Sequence, residues 1–143
     1  MTIITEIIDV VIYSCLCIIL MLLGNFLIDL IIPCSFPEEI KKGNKAVGFV
    51  SAGTNIGVGI LLRAAISSPE AEAVRETIIS GVLSSLLYFT LGIVFFMAGY
   101  VVINIFHKQY NLNDEIGNGN TAAGIMVAGI FIGLATAVSG VIV

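Results

Sequence analysis

A chain of 143 residues that is 58% hydrophobic and 11% charged, with a mean hydropathy of +1.10, has too little polar surface to face water on all sides. A soluble domain carries about a quarter charged residues, so the solvent here is largely lipid. The net charge of −4 and a pI near 4.7 exclude nucleic acid as a partner, because that needs a basic patch.

The N-terminal segment MTIITEIIDV has no basic region, and no A-x-A site follows the first apolar run. That run is expected to stay as a membrane helix rather than be cleaved. Helix one is expected over residues 7–32, long enough to cross the ~30 Å hydrocarbon core, with Pro33 ending it. Asp9 and Asp29 lie about one turn from its ends, within reach of headgroups. Cys15 and Cys17 read as small core or lipid-facing residues, and with Cys34 they make no metal or redox motif.

The first loop, residues 33–44, contains Ser35-Phe36-Pro37-Glu38, which has capping-box spacing. One or two turns of interfacial helix are expected, with Phe36 and Ile40 on the membrane side. Gly43 should stop that turn and Asn44 should cap the next helix. Helix two is expected over residues 45–67, with Arg63 at the far interface and Asn55 near mid-membrane.

Ser68-Pro69-Glu70 reads as an N-cap, a first-turn proline and an acidic first turn, so helix three can start near Pro69. A polar stretch at 71–76 then precedes the apolar residues 78–106. His107, beside Lys108, reads as a satisfied interfacial histidine. The third loop, 107–120, repeats the grammar of the first: Asn111-Leu112-Asn113-Asp114, then Ile116, Gly119 and Asn120. Helix four is expected from residue 121 to the end of the sequence.

An internal duplication organises these elements. Residues 39–66 and 115–142 align without a gap at an offset of 76, with eleven identities in twenty-eight positions. Chance would give roughly two or three. The matched positions include Glu39/Glu115, Gly43/Gly119, Asn44/Asn120, Gly48/Gly124, Ala52/Ala128, Gly53/Gly129 and Gly57/Gly133. The fold class is therefore all-α: a polytopic membrane protein of four transmembrane helices in two parallel tandem helix-hairpin repeats, residues 1–68 and 69–143. A two-span unit returns the chain to its starting side, so the copies are related by an axis along the membrane normal. Lys41, Lys42, Lys45 and Lys108 lie at loops one and three, against Arg63 and Arg75 on the other side. This places those loops in the cytoplasm and both termini outside.

Two groups of residues are candidates for function. Gly48, Ala52, Gly53 and Gly57 in helix two, and Gly124, Ala128, Gly129 and Gly133 in helix four, have small-xxx-small spacing, which lets backbones approach closely in lipid. The alternative is glycine lining a pore. On either reading helices two and four should form the inner layer, with the bulkier helices one and three facing lipid. The second group is Ser51, Thr54 and Asn55, which oppose Val127, Ile130 and Phe131 in the other copy. They make either an interhelical hydrogen bond or a polar lining for an ion or small solute. No nucleophile–base pair accompanies them, so no catalytic residue, cofactor or metal site is expected. A proton-driven rotor would need a mid-membrane carboxylate, and this chain has none there. The Glu38, Glu39, Lys41, Lys42 and Lys45 cluster reads as a solvated loop, with docking of a cytoplasmic protein as the alternative use of loops 33–44 and 107–120. Membrane lipid and further copies of the chain are the other expected partners.

The repeated E-I-x-x-G-N-x-A-x-G and A-G-x-x-I-G pattern, at residues 39–57 and 115–133, resembles the bacterial inner-membrane family called domain of unknown function three-hundred-and-fifty. That resemblance covers essentially the whole chain. It implies a small four-span protein of two tandem copies in the cytoplasmic membrane, with no activity, cofactor or catalytic residue. Its members are often encoded near envelope-stress genes or polyamine-related enzymes, from which the resemblance extends to an envelope role.

Overall fold

The computed structural model describes residues 3–67 and 78–143. In chain order the helices are α1 (Ile3–Asp29), α2 (Phe36–Lys41), α3 (Lys45–Ile66), α4 (Ile78–Phe106), α5 (Leu112–Gly117) and α6 (Thr121–Ile142). Among the described residues, α1, α3, α4 and α6 are the four helices long and apolar enough to cross a membrane. The expected proline-led start of helix three at 68–70, the polar stretch 71–76 and Arg75 lie outside the described residues.

Helix one ends three residues before the expected 32. The Asp29 carboxylate accepts the backbone N–H of Phe36 at 2.8 Å. The chain therefore turns at 30–35 instead of completing another helical turn, and Ile31 N–H tightens onto Ile28 C=O at 3.1 Å. The capping-box reading of Ser35 is corrected by the same contact: Ser35 holds the N-cap position but makes no side-chain cap bond. Asp29, one helix away in the sequence pattern, supplies the acceptor instead.

The expected glycine stops and asparagine starts of both loops are present. Gly43 and Gly119 have φ of +82° and +83°, the left-handed conformation that only glycine adopts without strain. Asn44 then caps α3 by accepting the Val47 N–H at 3.2 Å, and Asn120 caps α6 by accepting the Ala122 N–H at 3.1 Å.

Helix α3 is the axis of the molecule. It packs along its length against α6 and also touches α1, α4 and both short helices. Val47, Val50, Val58 and Leu61 of α3 are fully buried, as are Phe131 of α6, Phe96 of α4 and Leu20 of α1. Phe96 and Phe131 stack with ring centroids 4.9 Å apart and planes 11° from parallel. Phe36, Leu112 and Ile116 close the loop end of this core. In lipid the acyl chains are as apolar as these side chains, so close packing carries most of the association energy.

The inner-layer expectation needs one correction. Helix α3 is the most buried of the four, with an open side along Gly48, Phe49, Ala52 and Ile56, but α6 is covered on one side only: Ala122, Ile125, Gly129, Gly133, Thr136, Ala137 and Gly140 are exposed. Helix α4 takes the remaining inner position, sending Phe89, Ile93, Phe96 and Tyr100 into the core. A periodic stripe of small residues specifies that something can approach, but not from which direction.

Candidate functional site

Among the described residues the most extensive helix pairing is the α3–α6 seam, where backbone meets backbone. A β-carbon added at Gly53 would lie 2.5 Å from the Cα of Ala128, and one at Gly124 would lie 2.5 Å from the carbonyl oxygen of Ala46. Both neighbours are backbone, so neither can give way. Gly57 stands under the Phe96 ring, 2.5 Å from an added β-carbon, and 3.4 Å from the Phe131 carbonyl oxygen. Gly53, Gly57, Gly124 and Ala128 thus face a partner helix within the chain. Gly48, Gly129 and Gly133 do not: a β-carbon at any of the three would meet nothing within 4 Å. Ala52 is exposed as well. Inside one chain these four residues do not serve helix packing, because each points away from the seam.

The polar residues of α3 separate in the same way. Thr54 is fully buried and donates to the Val50 carbonyl of its own helix at 2.9 Å. It does not join Ser51 and Asn55, which turn toward α1. There, Ser51 Oγ donates to Asn25 Oδ1 at 2.6 Å, and Asn25 Nδ2 donates to Asn55 Oδ1 at 2.6 Å and to the Met21 carbonyl at 2.9 Å. The partner that sequence reading missed is Asn25. Its signal was a lone carboxamide inside an otherwise apolar helix, one turn from Asp29. A cleft of about 360 Å³ opens beside this clasp, lined by Asn25, Asp29, Ser51 and Asn55 together with Leu22, Phe26, Phe36, Pro37 and Ile40.

The repeated loop motif now has a physical account. Glu39, Gly43 and Asn44 form a closed unit: Gly43 N–H bonds the Ile40 carbonyl at 3.0 Å, Asn44 N–H bonds the Glu39 carbonyl at 2.9 Å, and Asn44 Nδ2 donates to the Glu39 carboxylate at 2.9 Å. Glu115, Gly119 and Asn120 make the same three bonds, at 3.1, 2.9 and 2.5 Å. Asn44 goes further. Its Nδ2 also donates to the carbonyls of Ile116 at 3.0 Å and Gly117 at 3.2 Å, bridging to the second loop. Asn120 makes no corresponding bond to the first loop.

Lys42 pairs with Glu39 at 2.9 Å on the exposed side. The Asn44 amide, then Lys42, hold the Glu39 carboxyl below the usual glutamate range, and Glu39 in turn raises Lys42. An open groove of about 320 Å³ runs past Glu39, Lys42, Asn44, Lys45 and Asn118. Burial pushes the Cys34 thiol up, helped by the charges of Glu39 and Asp29. Among the described residues, no three His, Cys, Asp or Glu side chains come together as a metal site.

Comparison with known proteins places this architecture. Over 122 residues the chain is 26% identical to the UPF0719 transmembrane protein of Aquifex aeolicus (strain VF5), a match covering 85% of this chain and 44% of that one. The chain therefore spans less than half the length of that relative. It is 23% identical over 134 residues to the UPF0719 transmembrane protein YshE of Bacillus subtilis (strain 168), covering 94% of this chain and 92% of the relative. No solved structure matches. The family model described as Domain of Unknown Function (DUF350) matches residues 2–142, with the two loop motifs and all four long helices inside the match. The chain belongs to the DUF350 family of multi-pass membrane proteins.

Proposed function

We propose that the protein is a homo-oligomeric structural component of the bacterial inner membrane that supports an envelope process, and that it acts by assembly rather than by chemistry. The observation that carries this reading is the exposed side of α6. Where α1 and α4 present Ile18, Leu22, Phe26, Leu83, Leu87 and Phe95 outward, α6 presents Gly129, Gly133 and Gly140. A helix that faces only acyl chains gains nothing from such a groove, whereas a second helix gains close backbone contact. The loops at 33–44 and 107–120 lie in the cytoplasm on this reading, where the groove beside Glu39 and Asn118 can receive a soluble protein.

The other reading is a facilitator for an ion or small polar solute. Its footing is the cleft beside Asn25 and Asn55. Against it, Ser51, Asn25 and Asn55 satisfy one another and Thr54 bonds its own helix, so these groups act first as a clasp. The mass of the purified protein in detergent tests the assembly reading: a mass of several chains is expected, and a single chain at membrane-like protein density defeats it. Solute flux into liposomes that is lost in Asn55→Leu with the fold intact would replace it with the facilitator.

A further inference from the structure

The seam between α3 and α6 is lopsided, and its missing half lies on the outside of the chain. Within the chain Gly53 of α3 meets Ala128 of α6, and Gly124 of α6 meets Ala46 of α3. Positions 76 apart correspond between the two copies. Moved by that offset, Gly53 becomes Gly129, Ala46 becomes Ala122, Ala128 becomes Ala52 and Gly124 becomes Gly48. All four of these residues are exposed. A twofold relation between the copies would put Gly129 onto Ala52 in the same chain, yet nothing lies within 4 Å of a β-carbon at Gly129. The contact is of the head-to-tail kind: α3 uses one side of the repeat and α6 uses another.

We infer that a second copy of this chain docks Ala122 and Gly129 of its α6 onto Gly48 and Ala52 of the first copy's α3, repeating the internal seam between chains. This rests on the assembly reading and adds the faces and the sense of the contact. The proposed contact continues an interface the fold already contains. At 3.6 residues per turn, Ala46 and Gly53 point roughly 130° away from Gly48 and Ala52 around α3, so one helix can hold both neighbours at once. The loops carry the same offer. Asn44 Nδ2 reaches across the internal seam to the Ile116 and Gly117 carbonyls. Its counterpart Asn120 is exposed, and the carbonyls of Ile40 and Lys41 are the equivalent acceptors in the next copy. A head-to-tail contact either closes into a ring or extends as a filament.

Paired cysteines test this in a background carrying Cys15→Ala, Cys17→Ala and Cys34→Ala. Differently tagged Ala52→Cys and Gly129→Cys chains are co-expressed and oxidised in the membrane. Mixed cross-links about tenfold above those of either variant alone are expected, because a head-to-tail contact brings unlike positions together. The pair Gly48→Cys with Ala122→Cys gives an independent reading should one variant fail to insert. Equal cross-linking of Gly129→Cys with itself overturns the inference in favour of a twofold contact. A multi-chain mass with both mixed pairs silent overturns it while leaving the assembly reading standing. A single-chain mass overturns both.

Discussion

Asn44 does two jobs with one carboxamide. Its oxygen caps α3, and its nitrogen ties Glu39 to the loop at Ile116. Sequence alone gave the cap, since an asparagine after a stop glycine is a strong local signal. It could not give the bridge, because Ile116 is 72 residues away and offers only its backbone. Ser35 went the other way: its spacing to Glu38 matched a capping box, but it makes no side-chain cap bond, and the side chain that meets the first turn of α2 is Asp29, at the Phe36 amide. Glu39 also makes the loop acid-sensitive. Its pKa is lowered in the folded state, so its contribution is full above the unfolded-state value and is lost as pH falls through the folded one. Wild type should therefore be more heat-stable than Glu39→Gln at neutral pH. The gap should close in acid below the ordinary glutamate range, as read by melting in detergent across pH.

At the scale of the helix, small residues at fixed spacing do two different things. Gly53 and Gly124 lie against backbone, whereas Gly48, Gly129 and Gly133 meet nothing among the described residues. Both sets looked alike in the sequence, because spacing defines a stripe but not the neighbour it meets. The long helices themselves were legible, since uninterrupted apolar runs leave few alternatives in lipid. Substitution separates the two sets. Gly53→Leu forces a side chain into the Ala128 backbone and should cost about 3 kcal/mol or more, or abolish folding. Gly129→Leu should leave the melting temperature of the single chain within a degree or two, since exposed changes are usually within about ±0.5 kcal/mol, while lowering the oligomer mass. Thermal melts beside mass measurements in the same detergent check both.

For the whole molecule, the charge arrangement sets an expected orientation, with Lys41, Lys42 and Lys45 at the first loop and Arg63 at the far end of α3. Cys34 reports on it. The residue is half-buried with its thiol pushed up, so a neutral-pH maleimide should react slowly and only from the cytoplasmic face. Modification by an impermeant reagent added to intact cells would invert the topology. Asn44 offers a last consequence. Among the described residues it is the side chain whose hydrogen bonds join the two halves of the protein, and it sits where α3 starts. That single carboxamide is thus a rivet between the hairpins at their loop end, and its loss in Asn44→Ala should loosen that end while the backbone seam at Gly53 and Gly124 stays shut.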